Sequence, residues 1–339
     1  MRDRPLISVM ILSYNYGEML NRALDACRRQ TFSDFEIIMI NNGSTDNTEE
    51  IFLKFQAENP EIPSTYVLIN PNNGPANAWN EALGHANGKY VMFHDADDWM
   101  DDNCLGLLAE AAQRTDADRV IGAYREVDDE GKLLRNRTLG RKPIPWTCNM
   151  LQANLFRVEL FYEHNIYSKC GYYDNESIMQ FCVFADATTF VDTVCYSYLV
   201  HVGSISKGKE QYKKLWNETW SMELLLSRFK EAYNMINLEA DREWAEYETV
   251  RIYYIYIYQM LLAAPLKIKW DEYRKMHTVM CRYYPHYLKN KKISLFRREG
   301  DCFRSRMAVW VSAIAERLHM MGALLTVFHV TAKLTKLYV

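Results

Sequence analysis

The chain should fold as an α/β domain with a mostly parallel sheet, followed by a helical region. Three observations carry this expectation. Four short apolar runs (Leu6–Leu12, Phe35–Ile40, Thr65–Ile69 and Tyr90–His94) each end abruptly in polar or turn-forming residues. Segments of helical periodicity separate them, so strand and helix alternate as in βαβ units. From about Glu210 onward the chain reads as helical and aromatic, with Trp216, Trp220, Trp244, the Tyr253–Tyr258 run and Tyr283-Tyr284.

The elements follow in order. Leu6–Leu12 is broken by Ser13-Tyr14-Asn15-Tyr16-Gly17, and Met19, Leu20, Ala23, Leu24 and Cys27 then line one side of a helix. Phe35–Ile40 breaks at Asn41-Asn42-Gly43-Ser44-Thr45-Asp46, where Ser44 or Thr45 can cap a helix over Glu49–Phe55. Thr65–Ile69 exits through Asn70-Pro71-Asn72-Asn73-Gly74-Pro75, and Pro75 opens a helix over Ala76–Ala86. After Tyr90–His94 come a helix (Leu105–Arg114), a strand (Arg119–Val127) and a turn at Asp128–Gly131. A helix around Leu151–His164, a polar loop over Gly171–Ser177, a helix (Ile178–Ala185) and a strand over Thr188–Val200 complete the domain. The main boundary is placed in the loop from His201 to Lys209. That gives an α/β domain over 1–206, with halves of about 5–127 and 128–206, and a helical region over 207–339.

Composition narrows the class. With 339 residues, 49% of them hydrophobic, and a net charge of −3, a large core is expected and disorder is not. The near-balance of charge gives no case for nucleic acid. Eight cysteines are scattered without a Cys-x-x-Cys pair, which argues against zinc and for reduced thiols in the cytoplasm. Met1–Pro5 leads straight into a strand, and no apolar segment reaches spanning length, so neither a secretory leader nor a transmembrane helix is expected.

The chemistry concentrates at Asp95, Asp97 and Asp98, which close the fourth strand. Carboxylates are not buried unpaired, so a core strand ending this way should deliver them to a mouth at the sheet's carboxyl edge. In extended backbone Asp95 and Asp97 would share one face and Asp98 the other. An all-oxygen set suits Mg²⁺ or Mn²⁺. The alternative is an acidic loop capping the next helix.

Ile7–Asn15, Asn41–Asp46, Asn73–Asn80 and Asp95–Asp98, each at a strand end and in this order, resemble the motif blocks of the family 2 glycosyltransferases, which have the GT-A fold. The resemblance covers roughly residues 5–100 and loosely extends to about 206. It implies an inverting enzyme that moves a sugar from a nucleotide-sugar donor, with UDP or another nucleotide, onto a glycan or lipid-linked glycan in surface polysaccharide synthesis. It further implies that Asp97 ligates Mn²⁺ or Mg²⁺ and that Asp95 faces the ribose and sugar. Ser13, Tyr14, Asn15, Asn41, Gly43, Ser44, Asn73 and Trp79 would line the donor pocket, with Tyr14 near the base. His201 would sit by the diphosphate, and Lys207 and Lys209 could close over it. Asp174 is the base candidate from the same resemblance, with Glu176 as fallback; the acidic residue that usually precedes the base is absent here. Asp174 as a helix cap stays open.

Two departures concern the base. The Asn41 position is commonly Asp, where a carboxylate accepts the uracil N–H, and the Trp79 position is commonly Arg. Both charges are missing together, so the base need not be uracil, and Trp79 either packs on it or belongs to a helix core. His94 reads as a structural histidine. In the C-terminal third, basic residues outnumber acidic ones about four to one between Arg282 and Arg306. The apolar stretch Met307–Val330 follows, interrupted by Glu316, Arg317 and His319. It suits an amphipathic helix lying on an anionic leaflet, at the inner face of the plasma membrane, or one packing on the catalytic domain or a second subunit. The non-enzymatic alternative is a degenerate transferase that binds nucleotide or glycan, or scaffolds a synthesis complex.

Overall fold

The computed structural model describes residues 4–140, 142–148, 150–169, 173–201, 221–262 and 264–334. They divide into two compact units, the first taking in the described residues up to His201 apart from 142–148, which join the second. The expected boundary at 206, with Lys207 and Lys209, lies outside the described residues.

In the first unit β1 (Ile7–Ser13), β2 (Phe35–Asn41), β3 (Ser64–Leu68) and β4 (Tyr90–Asp95) form a parallel half-sheet in the order β3-β2-β1-β4. Period-two alternation sorts their side chains into two cores. Ile7, Val9, Ile11, Ile37 and Met39 pack with Leu20, Leu24 and Phe52 of α1 (Gly17–Arg28) and α2 (Thr48–Glu58), and with Leu105 and Leu108 of α4 (Cys104–Thr115). Met10, Ile38, Ile40, Val91 and Phe93 pack on the opposite face with Ala78, Trp79 and Ala82 of α3 (Pro75–Leu83).

The second half of the sheet is mixed. β5 (Trp99–Met100), β6 (Arg119–Val127), β8 (Asn154–Arg157) and β9 (Thr188–Leu199) continue it as β8-β6-β9-β5, and β7 (Leu133–Arg137) hangs on β6. The helix expected around Leu151–His164 is corrected here. Asn154–Arg157 is a strand paired antiparallel with β4 and β6, and only Val158–Glu163 (α5) is helical. Its apolar residues fit either period, and the open edge of β4 decides for strand. The helix expected from Ile178 starts at Tyr173 as α6 (Tyr173–Phe184). The cap of α2 also differs: the Asp46 carboxylate, not Ser44 or Thr45, accepts the Thr48 N–H at 3.1 Å and the Thr48 hydroxyl proton at 2.6 Å.

The second unit is helical: α7 (Met222–Met235), α8 (Glu239–Met260), α9 (Leu266–Tyr283), a 3₁₀ turn over Tyr287–Lys289, α10 (Phe303–Arg317) and α11 (Met321–Leu334). Trp146 of the 142–148 segment is tied to it by an indole N–H bond to Asp241 at 3.1 Å. Glu316 is buried inside it. Its carboxylate accepts hydroxyl protons from Tyr253 (2.9 Å), Tyr254 (2.8 Å), Tyr273 (3.1 Å) and Tyr287, and His277 Nδ1 lies 3.5 Å away. No helix among the described residues is long and apolar enough to cross a membrane.

Candidate active site

The carboxyl ends of β1, β2 and β4 are level, with Ser13 opposite Asn41 and Leu12 opposite Asp95, so three strand exits open on one edge. β4 stops at Asp95, and the Asp98 N–H closes a turn onto the Asp95 carbonyl at 3.1 Å. Extended alternation therefore does not run through Asp98, as the sequence reading supposed. The turn nonetheless gathers Asp95, Asp97 and Asp98 with one oxygen each inside 4.8 Å.

The three carboxylates are not equivalent. Asp98 is 1% exposed and fully engaged: Tyr196 donates its hydroxyl proton to Oδ2 at 2.9 Å, and the Leu199 N–H meets Oδ1 at 2.8 Å. Because that proton is spent on Asp98, His94 must donate Nδ1–H to the tyrosine oxygen at 2.8 Å. Burial holds the His94 ring neutral, its pKa pushed down to about 3, in keeping with a structural histidine. Asp95 Oδ2 accepts from Gln152 Nε2 at 2.6 Å, and Asp97 Oδ2 lies 3.0 Å from His201 Nε2. Arg22 donates to the Asp97 carbonyl at 2.8 Å and lays its guanidinium 3.8 Å from the Trp99 ring centroid. Tyr16 stands edge-on to His201, with ring centroids 5.9 Å apart.

Electrostatics follow from the crowding. Burial pushes the Asp95 carboxyl well up, the charges of Asp97 and Asp174 push it further, and the Gln152 bond opposes them. Asp98 is raised by burial, then by Asp97 and Asp95. Tyr16 is pushed up to about 12 by burial and then by the same three carboxylates. Like charges held together by an oxygen-only donor set are what a small divalent cation relieves, so the residues present fit Mg²⁺ or Mn²⁺.

On the donor side, two loops clasp each other. Asn15 accepts the Thr45 N–H at 2.8 Å, and the Asn15 N–H meets Ser44 Oγ at 3.0 Å. Gly43 has φ +76°, and a Cβ there would come within 2.8 Å of the Asn72 nitrogen, so glycine lets the β2 and β3 exits approach. The Asn73 N–H contacts Asn42 Oδ1 at 3.3 Å. Ser13 is fully buried, its hydroxyl without a hydrogen-bond partner among the described residues, and Tyr14 beside it is exposed. Asn41 is turned to internal work: Oδ1 accepts the Ser44 N–H at 2.8 Å and Nδ2 donates to Tyr66 at 2.8 Å. Trp79 is 2% exposed and edge-on to Phe93, which matches the helix-core reading of the two left open.

Asp174 lies in the first turn of α6, near enough for its charge to act on Asp95. Glu176 is fully buried and accepts from the Ser168 hydroxyl and the Lys169 N–H, both at 2.8 Å, so the fallback base is held in a structural role. Sequence reasoning passed over Gln152, Tyr196, Arg22 and Tyr16. Of these only Tyr16 stood beside a motif, in the Ser13–Gly17 turn just past the Ile7–Asn15 block.

Residues 8–180 match the family model for glycosyl transferase family 2. Glycosyltransferase GlyG of Streptococcus pneumoniae is 28% identical over 223 residues, covering 60% of this chain and 73% of that protein. Chondroitin synthase of Pasteurella multocida is 34% identical over 133 residues, 39% of this chain but 14% of the synthase. Among solved structures, S. aureus TarS 1–349 in complex with UDP-GlcNAc matches with a TM-score of 0.68 at 16% identity, over 93% of this chain and 92% of that one. The mannosyltransferase PcManGT of Pyrobaculum calidifontis, in complex with GDP-Man and Mn²⁺, gives 0.53 at 16% identity over 98% and 88%. Likeness at these identities establishes the GT-A fold. The family model takes in half of the chain, including the β1, β2 and β4 exits and the carboxylate turn, and the chain therefore belongs to glycosyl transferase family 2 and is a glycosyltransferase.

Proposed function

We propose that this glycosyltransferase moves one sugar from a nucleotide-activated donor to a glycan acceptor, with inversion, in the assembly of a surface polysaccharide. The carrying observation is the division of the acidic trio. Asp98 is committed to the scaffold, while Asp95 and Asp97 meet Gln152 and His201 at the sheet edge. Asp97 would hold Mg²⁺ or Mn²⁺, with His201 beside the diphosphate, and the bound ion would supply a Lewis acid for charge on the leaving diphosphate. Asp95, oriented by Gln152, binds ribose and sugar hydroxyls. Tyr14 offers an exposed ring to the base. Asn41 braces the pocket wall without a charge, so the base is not restricted to uracil. Asp174 takes the proton from the attacking acceptor hydroxyl. The acceptor is read as a lipid-linked glycan at the cytoplasmic face of an anionic leaflet.

A donor screen by mass spectrometry, reading hydrolysis in water, tests the proposal. Metal-dependent hydrolysis of one nucleotide sugar, abolished by Asp97→Ala, is expected. A nucleotide-binding scaffold would hydrolyse none. Calorimetry with nucleoside diphosphates and Mn²⁺ then identifies the base, and a clear UDP preference would show that the Asn41 and Trp79 departures are neutral.

A further inference from the structure

We infer that the outward faces of α10 and α11 form a docking surface for an anionic phospholipid leaflet. α10 carries apolar side chains on its outward face as well as on its buried one. It buries Val309, Ser312, Ala313, Ala315 and Glu316, while Phe303 (57% exposed), Met307 (43%) and Val311 (37%) point outward at i, i+4 and i+8. Leu318 continues the stripe past the helix end, and on α11 Val327 and Val330 are exposed while Met321, Leu325 and Ala332 face inward. A helix that faces only water keeps its apolar residues to the one stripe turned to the core.

Charge says what covers this face. Between Cys302 and Val339, Glu316 is the one acidic residue, against three arginines and two lysines. That single carboxylate is withdrawn into the tyrosine and histidine cluster of the helical unit. Arg306 and Arg317 donate to backbone carbonyls of Asp301 and Leu288, which leaves their charge uncancelled, and Arg304 is exposed beside the stripe. An apolar face on a segment whose exposed charges are all cationic suits an anionic leaflet, where acyl chains take the stripe and headgroups take the arginines. A second copy would set cation against cation. The inference gives the lipid-linked acceptor reading a place of attachment, and rests on that reading for its purpose alone.

The test is sedimentation of the full chain with phosphatidylcholine vesicles, with and without phosphatidylglycerol. Binding should need phosphatidylglycerol and weaken with salt. Met307→Glu with Val311→Glu should lower partitioning more than about tenfold, and the milder Arg304→Gln about fivefold, as expected for one cation at an anionic surface. Unchanged circular dichroism would show that the variants fold. The inference is overturned if the wild type ignores anionic vesicles, if the double variant binds undiminished, or if sizing shows a dimer that the double variant splits. Vesicle binding without donor hydrolysis would sink the proposed donor and metal chemistry and leave the docking face standing.

Discussion

Tyr196 donates its hydroxyl proton to Asp98 across 2.9 Å, and with Leu199 it leaves that carboxylate no free role at the mouth of the sheet. Asp97, one residue earlier, meets only His201 through its side chain among the contacts described. With Asp97 proposed as the direct ligand, Asp97→Asn should weaken Mn²⁺ binding by roughly 100-fold or more, since a ligand outweighs the orienting groups around it. Asp98→Asn should cost less, about tenfold, as a group beside the ligand and not a ligand itself. The introduced amide can accept from Leu199 and donate to the tyrosine oxygen. The tyrosine proton then turns to His94 Nδ1, and the ring proton moves to Nε2, which has no partner among the described residues. Electron paramagnetic resonance titration of Mn²⁺ measures both; equal losses would make Asp98 a ligand.

Gln152 is the neutral donor that orients Asp95. Gln152→Met should reduce donor affinity or turnover about 10–100-fold, the usual cost of removing a group that orients a binding carboxylate. Because burial and the charges of Asp97 and Asp174 hold the Asp95 carboxyl up, a cation placed beside it in this cluster favours its ionised form and releases protons. Mn²⁺ affinity should therefore climb as pH rises above the ordinary carboxylate range, with proton release. Calorimetry in buffers of different ionisation enthalpy counts those protons, and a pH-independent affinity would contradict the burial of Asp95.

Asp174 approaches the same carboxylates from α6. In its proposed role as base it would act on the acceptor, so Asp174→Asn should lower kcat by about 10²–10⁴ with the donor KM nearly unchanged. A helix-cap role alone would instead lower the melting temperature and leave turnover of the folded fraction intact. Steady-state kinetics beside a thermal melt separates the two.

The parallel half of the sheet was legible because Ile7–Ser13, Phe35–Asn41 and Tyr90–Asp95 are apolar runs cut off by residues that cannot continue them. Asp95 and Asp97 were legible for a chemical reason, since unpaired carboxylates must reach a mouth. Gln152 and Tyr196 were not, because they arrive from segments 57 and 98 residues from their partners, and nothing local marks an uncharged amide or a core tyrosine as a site residue. β8 escaped because Asn154–Arg157 takes its strand state from the edge of β4, not from its own pattern. Glu316 looked like a break in an apolar helix; only tertiary packing brings four tyrosines from other elements onto it.

That cluster makes acid the test of the helical unit. Burial alone would push the Glu316 carboxyl up, but the His277 and Tyr287 hydrogen bonds, the charge of His277 and the Tyr254 bond outweigh it and hold the group below the usual 4.5. A carboxyl depressed on folding lends stability above its unfolded pKa and loses it as pH falls through the folded value. The wild-type melting temperature should thus drop on acidification below about pH 4.5, where protonation removes an acceptor from the cluster. Glu316→Gln cannot accept all four hydroxyl protons with one carbonyl oxygen. It should cost about 2–3 kcal/mol at neutral pH and flatten the acid limb. Melts of both proteins across the acid range decide it: parallel curves would mean that another carboxylate carries the acid response.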